Sequence, residues 1–335
     1  MSDPLPLVTI YLSERCNSRC ITCDYWRHGV KDMSLQSVEG MLPSLAALRT
    51  RVVLFSGGEP LLNPEWRDIA TLLKNQGLDL WLLTSGLSLA KHARDVASLF
   101  QSITVSLDGT SAETYAAIRG VNAYNKVCEG IQAVAANGVP TSLRITLQRA
   151  NFRELPRFVV LAHKLGASQV SFLSVDVSNP HAFARRDAFS PELALRAEDI
   201  DIFDALIDEL EAEYQEDFDS GFIAESPAKL RHLRDYFAAL HGLVEFPPVR
   251  CNAPEFSAVV GADGLVAPCF FIPGPADAPR APNLIGALGS ESGIALRADI
   301  RSGKRRECKT CVCSMWREPS TMREDDFQLQ VATNA

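Results

Sequence analysis

No basic segment leading into a long apolar run opens this 335-residue sequence, which begins Met1-Ser2-Asp3-Pro4, so no secretory signal is predicted. No later stretch stays apolar for the roughly 20 residues that a membrane-spanning helix requires, and no helical span is predicted either. Nor is there a basic surplus. The formal net charge is −8, spread along the chain, which makes nucleic acid or an anionic membrane surface a poor main partner. The expectation is a cytoplasmic protein acting on a small molecule or a peptide.

What is present is an ordinary globular composition, 47% hydrophobic and 22% charged, long enough for one large domain or two smaller ones. Through the first half, short β-branched or apolar runs alternate with longer helical patterns. That rhythm builds a parallel sheet with helices packed outside it. Strands are predicted at Val8–Leu12, Arg51–Phe55, Leu78–Leu83, Ser102–Leu107, Ser142–Leu147 and Gln169–Ser174. Helices are predicted at Ser34–Leu48, Glu65–Gln76, Ala90–Leu99, Tyr124–Ala136 and Arg153–Leu165. Six such units make a partial or full α/β barrel over residues 1–175. A helical connector is expected over 176–245, where a polar loop precedes an acidic amphipathic stretch and a second helix around Ala228–Leu240. From Phe246 the chain is rich in Pro and Gly, short in helix signal, and holds five cysteines, which marks a small Cys-rich α+β domain over 246–320 held by metal. Residues 321–335 read as a polar tail.

Nine cysteines are many for a reducing compartment and point to metal ligation or catalysis rather than to disulfides. They fall into two groups and one stray: Cys16, Cys20 and Cys23; then Cys251, Cys269, Cys308, Cys311 and Cys313; and Cys128, alone in a helical stretch and read as a small buried hydrophobe. The first group follows the first predicted strand, on a loop at the C-terminal mouth of the barrel, where such folds place their active sites. Three thiolates at CxxxCxxC spacing can hold three corners of a cuboidal [4Fe–4S] cluster and leave the fourth iron open to substrate or cofactor. A zinc loop or a chance spacing is the alternative at this point.

This triplet, with Ser56-Gly57-Gly58-Glu59-Pro60 after the second strand and Ser106-Leu107-Asp108-Gly109 after the fourth, resembles the radical S-adenosylmethionine (SAM) superfamily. The resemblance implies a partial (β/α)6 barrel whose open iron chelates the amino and carboxylate groups of SAM. One electron then cleaves SAM to methionine and a 5′-deoxyadenosyl radical, which takes a hydrogen atom from substrate. Gly57, Gly58 and Glu59 match the family's GGE motif, which meets the SAM ammonium. Ser106 matches a contact to the SAM carboxylate or ribose. Arg119 matches an arginine that pairs with the carboxylate, a task suited to a planar guanidinium. Ser85 stands where the family often has asparagine and is a candidate ribose contact. The family often has an aromatic residue before the third cysteine, near adenine. Here that residue is Thr22, so Tyr25 or Trp26 is the candidate replacement. Arg144, on the fifth predicted strand, faces either the pocket or the barrel wall.

The later cysteines resemble the twitch and SPASM domains appended to some radical SAM enzymes. Asp263-Gly264 is a good hairpin turn between Ser257–Val260 and Leu265–Ala267, bringing Cys251 and Cys269 near each other. A full SPASM domain has seven cysteines, so five imply the shorter twitch form with one auxiliary [4Fe–4S] cluster. Cys251, Cys269, Cys308 and Cys311 are the favoured ligands, because CxxC presents two sulfurs to one metal more easily than CxC. Cys313 is then spare, or a hydrogen-atom donor near the active site. A structural zinc site is the alternative for this group.

The resemblance fixes the cofactors, not the substrate. The chain starts at the first barrel strand, without the N-terminal leader-binding domain of many peptide-modifying relatives, which favours a small molecule. An auxiliary cluster ligated by four cysteines suits electron acceptance from a substrate radical. The expected activity is that of a radical SAM oxidoreductase or lyase, supplied by an external one-electron reductant such as flavodoxin or ferredoxin. It would dehydrogenate or decarboxylate a sugar, cyclitol or nucleoside-like natural-product intermediate. The alternatives are a peptide-crosslinking or epimerising enzyme, and a zinc-bound module without catalysis.

Overall fold

Alternation along the first strand decides which way the sheet faces. In the computed structural model, which describes residues 4–181 and 190–318, β1 (Leu7–Ser13) sends Val8, Ile10 and Leu12 into one core with Val38, Met41 and Leu45 of α1 (Leu35–Ala47). Side chains two apart share a face of a strand, so this is the outer, helix-covered face. Leu7 lies on the other face. It joins a smaller core with Val52, Ala253 and Phe256, against which Leu54, Trp81, Cys251 and Met315 pack. That inner core is the barrel floor, and Tyr11 and Ser13 lie above it toward the C-terminal mouth.

The next strands repeat the pattern: β2 (Val52–Gly57), β3 (Asp79–Thr84), β4 (Ser102–Ser106), β5 (Thr141–Leu147) and β6 (Gln169–Ser174), each parallel to its predecessor. Between them run α2 (Trp66–Asn75), α3 (Leu89–Leu99), α4 (Ala112–Arg119), α5 (Tyr124–Ala135) and α6 (Leu155–Leu165). All six predicted strands and five predicted helices are present within a residue or two at their ends. α4 was not predicted. It is two turns long and buries only Tyr115 and Ile118, too few apolar positions to make a stripe.

Past β6, α7 (Ile200–Glu213) and α8 (Pro227–Leu240) pack on each other and α8 on β6. The predicted hairpin forms as β7 (Ser257–Val260) and β8 (Val266–Ala267), and β7 pairs in parallel with β1. The hairpin thus extends the barrel's sheet, whose order is β6-β5-β4-β3-β2-β1-β7-β8, and the barrel does not close. α9 (Glu291–Arg301) lies where little helix was expected. Ser290 caps it by accepting from the Gly293 N–H, and Gly293 is its one buried residue, so it carries almost no apolar pattern to read. The expected tail and the later part of the loop over Asp176–Asp187 lie outside the described residues. Among the described residues no helix is long and apolar enough to cross a membrane.

Candidate active site

The loop after β1 is held from both sides by backbone hydrogen bonds. On the β2 side, the N–H groups of Gly58 and Glu59 donate to the carbonyls of Ser13 and Arg15, both at 2.8 Å. On the α4 side, Arg19 N–H donates to the Arg119 carbonyl at 2.9 Å and Ile21 N–H to Ile118 at 3.0 Å. The glycine pair makes the first contact possible. Gly57 has φ +119°, and a Cβ on Gly58 would collide with the backbone oxygens of Glu14 and Arg15. Gly58→Ala is therefore expected to destabilise the protein by about 1–3 kcal/mol through forced displacement of this loop. Thermal melting together with loss of loop-bound metal checks it.

Glu59 is 0% exposed and its carboxylate is fully engaged. Oε1 accepts from Thr84 Oγ1 at 2.8 Å and Leu61 N at 3.2 Å; Oε2 accepts from Ser85 Oγ at 2.6 Å and Ser85 N at 2.7 Å. Ser85 Oγ also lies 3.1 Å from Asn17 Oδ1, so the cysteine loop, Glu59 and the end of β3 are one hydrogen-bonded unit. With this side chain occupied, any contact of the segment to an ammonium falls to its backbone.

Arg119 ends α4 beside the thiols. Its Nη1 donates to Asp108 Oδ2 at 3.0 Å, with side-chain exposures of 11% and 2%. Asp108 Oδ1 accepts from Thr146 N at 2.7 Å, so the pair ties β4's end to β5. Burial pulls the Arg119 pKa down, but Cys20, Asp108, Tyr115 and Cys16 outweigh it and hold the guanidinium firmly protonated. Burial pushes Cys16 up to about 11 and Cys23 up to about 12, and also raises Cys20, against which Arg119 acts. Thiols of this kind stay protonated until a metal takes the proton's place.

Tyr25 sits two residues past Cys23 and packs edge-to-face on Tyr11, with ring centroids 5.6 Å apart. Burial, more than its neighbours Cys23 and Glu14, raises its hydroxyl to about 12. Tyr11 in turn stacks on Phe270 at 6.5 Å, next to Cys269. These rings run from the first cysteine group to the second. Tyr11 went unnoticed in the sequence, although its place on the inner face follows from the strand's period of two. Trp26 Nε1 donates to the Cys20 carbonyl at 3.4 Å.

All five later cysteines line one cavity, together with Met315. Asn252 draws the chain end to Cys251: its N–H donates to the Met315 carbonyl at 2.9 Å and its Nδ2 to the Arg317 carbonyl at 2.7 Å. Ser178 and Thr310 hydroxyls, 2.8 Å apart, join the same segment to the loop after β6. Burial raises Cys269 to about 12 and lifts Cys308, Cys311 and Cys313 as well, with Cys251 close enough to add to each rise. Among the described residues, no three His, Cys, Asp or Glu side chains close around a point that one metal ion would occupy. Ser106, at the end of β4, and Arg144, midway along β5, share the inner face in register. Cys128 is half-buried against the outer core, beside Tyr124.

Residues 10–162 match the model of the Radical SAM superfamily. The Fe-coproporphyrin III synthase of Methanosarcina barkeri (strain Fusaro / DSM 804) is 26% identical over 178 residues, covering 51% of this chain and 44% of that protein. The chain spans about half the length of the curated relatives it matches. Streptococcus suis SuiB bound to precursor peptide SuiA superposes with a TM-score of 0.66 at 15% identity, covering 94% of this chain and 72% of that one. Native anSMEcpe with bound AdoMet gives 0.63 at 16%, covering 92% and 88%. At these identities the structural likeness is one of fold: an open parallel sheet with a loop after its first strand. That fold, the triplet on the loop and the family match agree, and residues 10–162 of this chain are a radical SAM domain.

Proposed function

We propose that this chain cleaves SAM reductively and uses the 5′-deoxyadenosyl radical to take a hydrogen atom from a small polar substrate held in the barrel. The observation that carries this is the loop with Cys16, Cys20 and Cys23, fixed on both sides at the open mouth beside the buried Arg119 guanidinium. A [4Fe–4S] cluster bound by these three thiolates supplies the electron that splits SAM. Arg119 and Ser106 are the proposed partners of the SAM carboxylate, Ser85 of the ribose and Tyr25 of the adenine. The backbone of Gly57–Gly58 meets the ammonium.

Cys251, Cys269, Cys308 and Cys311 are the proposed ligands of an auxiliary [4Fe–4S] cluster. Tyr11 and Phe270 lie between it and the first group. A cluster held by these thiolates would supply an acceptor for the second electron of a two-electron substrate oxidation, with a proton or carbon dioxide as the other product. A flavodoxin or ferredoxin is the proposed external reductant.

A peptide substrate is the second reading, supported by likeness to the structure of SuiB bound to its precursor peptide. There Cys313 would return a hydrogen atom in epimerisation. Anaerobic reconstitution followed by SAM and dithionite tests both: 5′-deoxyadenosine is expected, and its absence overturns the proposal. Solvent deuterium retained in the product favours epimerisation, whereas two-electron oxidation or carbon dioxide release favours the first reading.

A further inference from the structure

The helix α8 presents two stripes. Leu230, Leu233 and Phe237 are buried in the core, while Lys229, His232, Leu233 and Tyr236, spaced i, i+3, i+4 and i+7, line a second cavity on the adjoining face. Residues 246–250 and 310–316 form its other walls, and the buried Ser174 at the end of β6 lies at its back. Phe246, Pro248 and Arg250 are exposed, so the cavity, of about 60 Å³, is open to solvent on their side. An interior of that size holds a few waters or one polar head group.

Its polar groups are unbalanced. Among the described residues, Lys229 Nζ meets only the Ser314 hydroxyl, at 3.5 Å, and no carboxylate. His232 makes no hydrogen bond from either ring nitrogen, and its Nδ1 is buried. Arg250 at the rim is already paired: its Nη2 donates to Glu318 Oε1 at 3.1 Å, and its guanidinium lies 4.0 Å from the centre of the Trp316 ring. No aspartate or glutamate among the described residues lines the cavity. One uncompensated cation therefore remains, with imidazole and hydroxyl donors beside it, in a chain of net charge −8. Leu233, Phe246, Pro248, Val249 and Trp316 make the rest of the lining apolar. Apolar walls around a few convergent polar groups are the usual make-up of a small-ligand site.

We propose that this cavity binds a carboxylate borne on an apolar or aromatic body. Lys229 pairs with the carboxylate, His232 and Ser314 donate hydrogen bonds to it, and the body lies against Phe246 and Trp316. The charge balance selects the carboxylate. One free cation neutralises a monoanion, whereas a phosphate dianion would keep excess negative charge beside the second cysteine group, whose Cys311 shares this wall. A free organic acid and the C-terminal carboxylate of a peptide offer the same chemistry. The site stands independently of the radical reading, because its occupancy is measured without turnover.

Calorimetric titration of the reconstituted holoprotein tests it. 3-Phenylpropionate is expected to bind at least about tenfold more tightly than the uncharged 3-phenylpropanol, the effect of one charged hydrogen bond, and more tightly than phenyl phosphate. That comparison uses the parent protein and needs no variant. Lys229→Met is expected to remove the preference for the acid over the alcohol, and Lys229→Arg, which keeps the charge, to retain most of it. Both should keep the parent's iron content and melting temperature. N-Acetylglycylphenylalanine and its C-terminal amide separate the two sources. A peptide acid that outbinds both phenylpropionate and the amide identifies a peptide terminus and supports a peptide substrate, and one weaker than phenylpropionate identifies a free acid. The proposal is overturned if the alcohol or phenyl phosphate binds as tightly as the acid, if no probe binds, or if Lys229→Met leaves acid binding unchanged. In each of those cases Lys229 serves only the charge balance of the neighbouring cysteines.

Discussion

Replacing any one of Cys16, Cys20 and Cys23 by alanine is expected to abolish 5′-deoxyadenosine formation and to remove about four of about eight irons per chain. The loss is total because three thiolates are the minimum that leaves one iron open while holding the cluster, and no nearby side chain can substitute. Among the described residues, the stray Cys128 lies with the outer helices, on the far side of the sheet from the mouth. The fold should survive. The loop's position depends on backbone bonds from Gly58, Glu59, Arg19 and Ile21, which an alanine at a cysteine position does not touch. Melting temperatures close to the parent's are therefore expected once metal is removed from both proteins. Iron and sulfide analysis with chromatographic detection of 5′-deoxyadenosine measures the effect. A variant that keeps about eight irons and still cleaves SAM would show that the loop is not the cofactor site.

The features that suggested the site were legible because they are written in local sequence. The thiol spacing, the glycine pair and the strand–helix rhythm each occupy a few consecutive residues, and each physical requirement acts on neighbours. The strands were readable for the same reason: Val8, Ile10 and Leu12 alternate with Thr9 and Tyr11, and the outer core needs that period. What escaped was made by contacts between distant parts of the chain. The pairing of β7 with β1 joins residues near opposite ends, and nothing in Ser257–Val260 specifies Leu7–Ile10 as its neighbour. Asp108 had no role of its own in the sequence, yet it anchors Arg119 and the end of β5. The roles of Glu59 changed in detail too. Its type suggested a free acceptor for an ammonium, but Thr84 and Ser85 take up both oxygens, which only the packing of β2 against β3 reveals.

The second large effect concerns which four of the five later cysteines hold metal. Alanine at Cys251, Cys269, Cys308 or Cys311 is expected to lower iron from about eight to about four per chain, whereas Cys313→Ala should leave it near eight. All five line one cavity, so proximity does not separate them. Chain geometry and surroundings do. Cys308 lies within a short helical turn, Arg306–Lys309, and Cys311 follows just after it, a spacing that presents two sulfurs to one guest, while Cys251 precedes and Cys269 follows the hairpin. Cys313 differs in its surroundings: after burial the strongest influence on its thiol is the charge of Arg144, with Lys229 acting the same way. The four ligand variants should still cleave SAM with dithionite, because the first cysteine group is untouched, but they should fail to complete two-electron oxidation of substrate. Electron paramagnetic resonance of the reduced protein should show one cluster signal in place of two overlapping ones. Should Cys313→Ala lose four irons while Cys308→Ala keeps eight, the ligand set is Cys251, Cys269, Cys311 and Cys313, and the thiol beside Arg144 has no hydrogen atom to give.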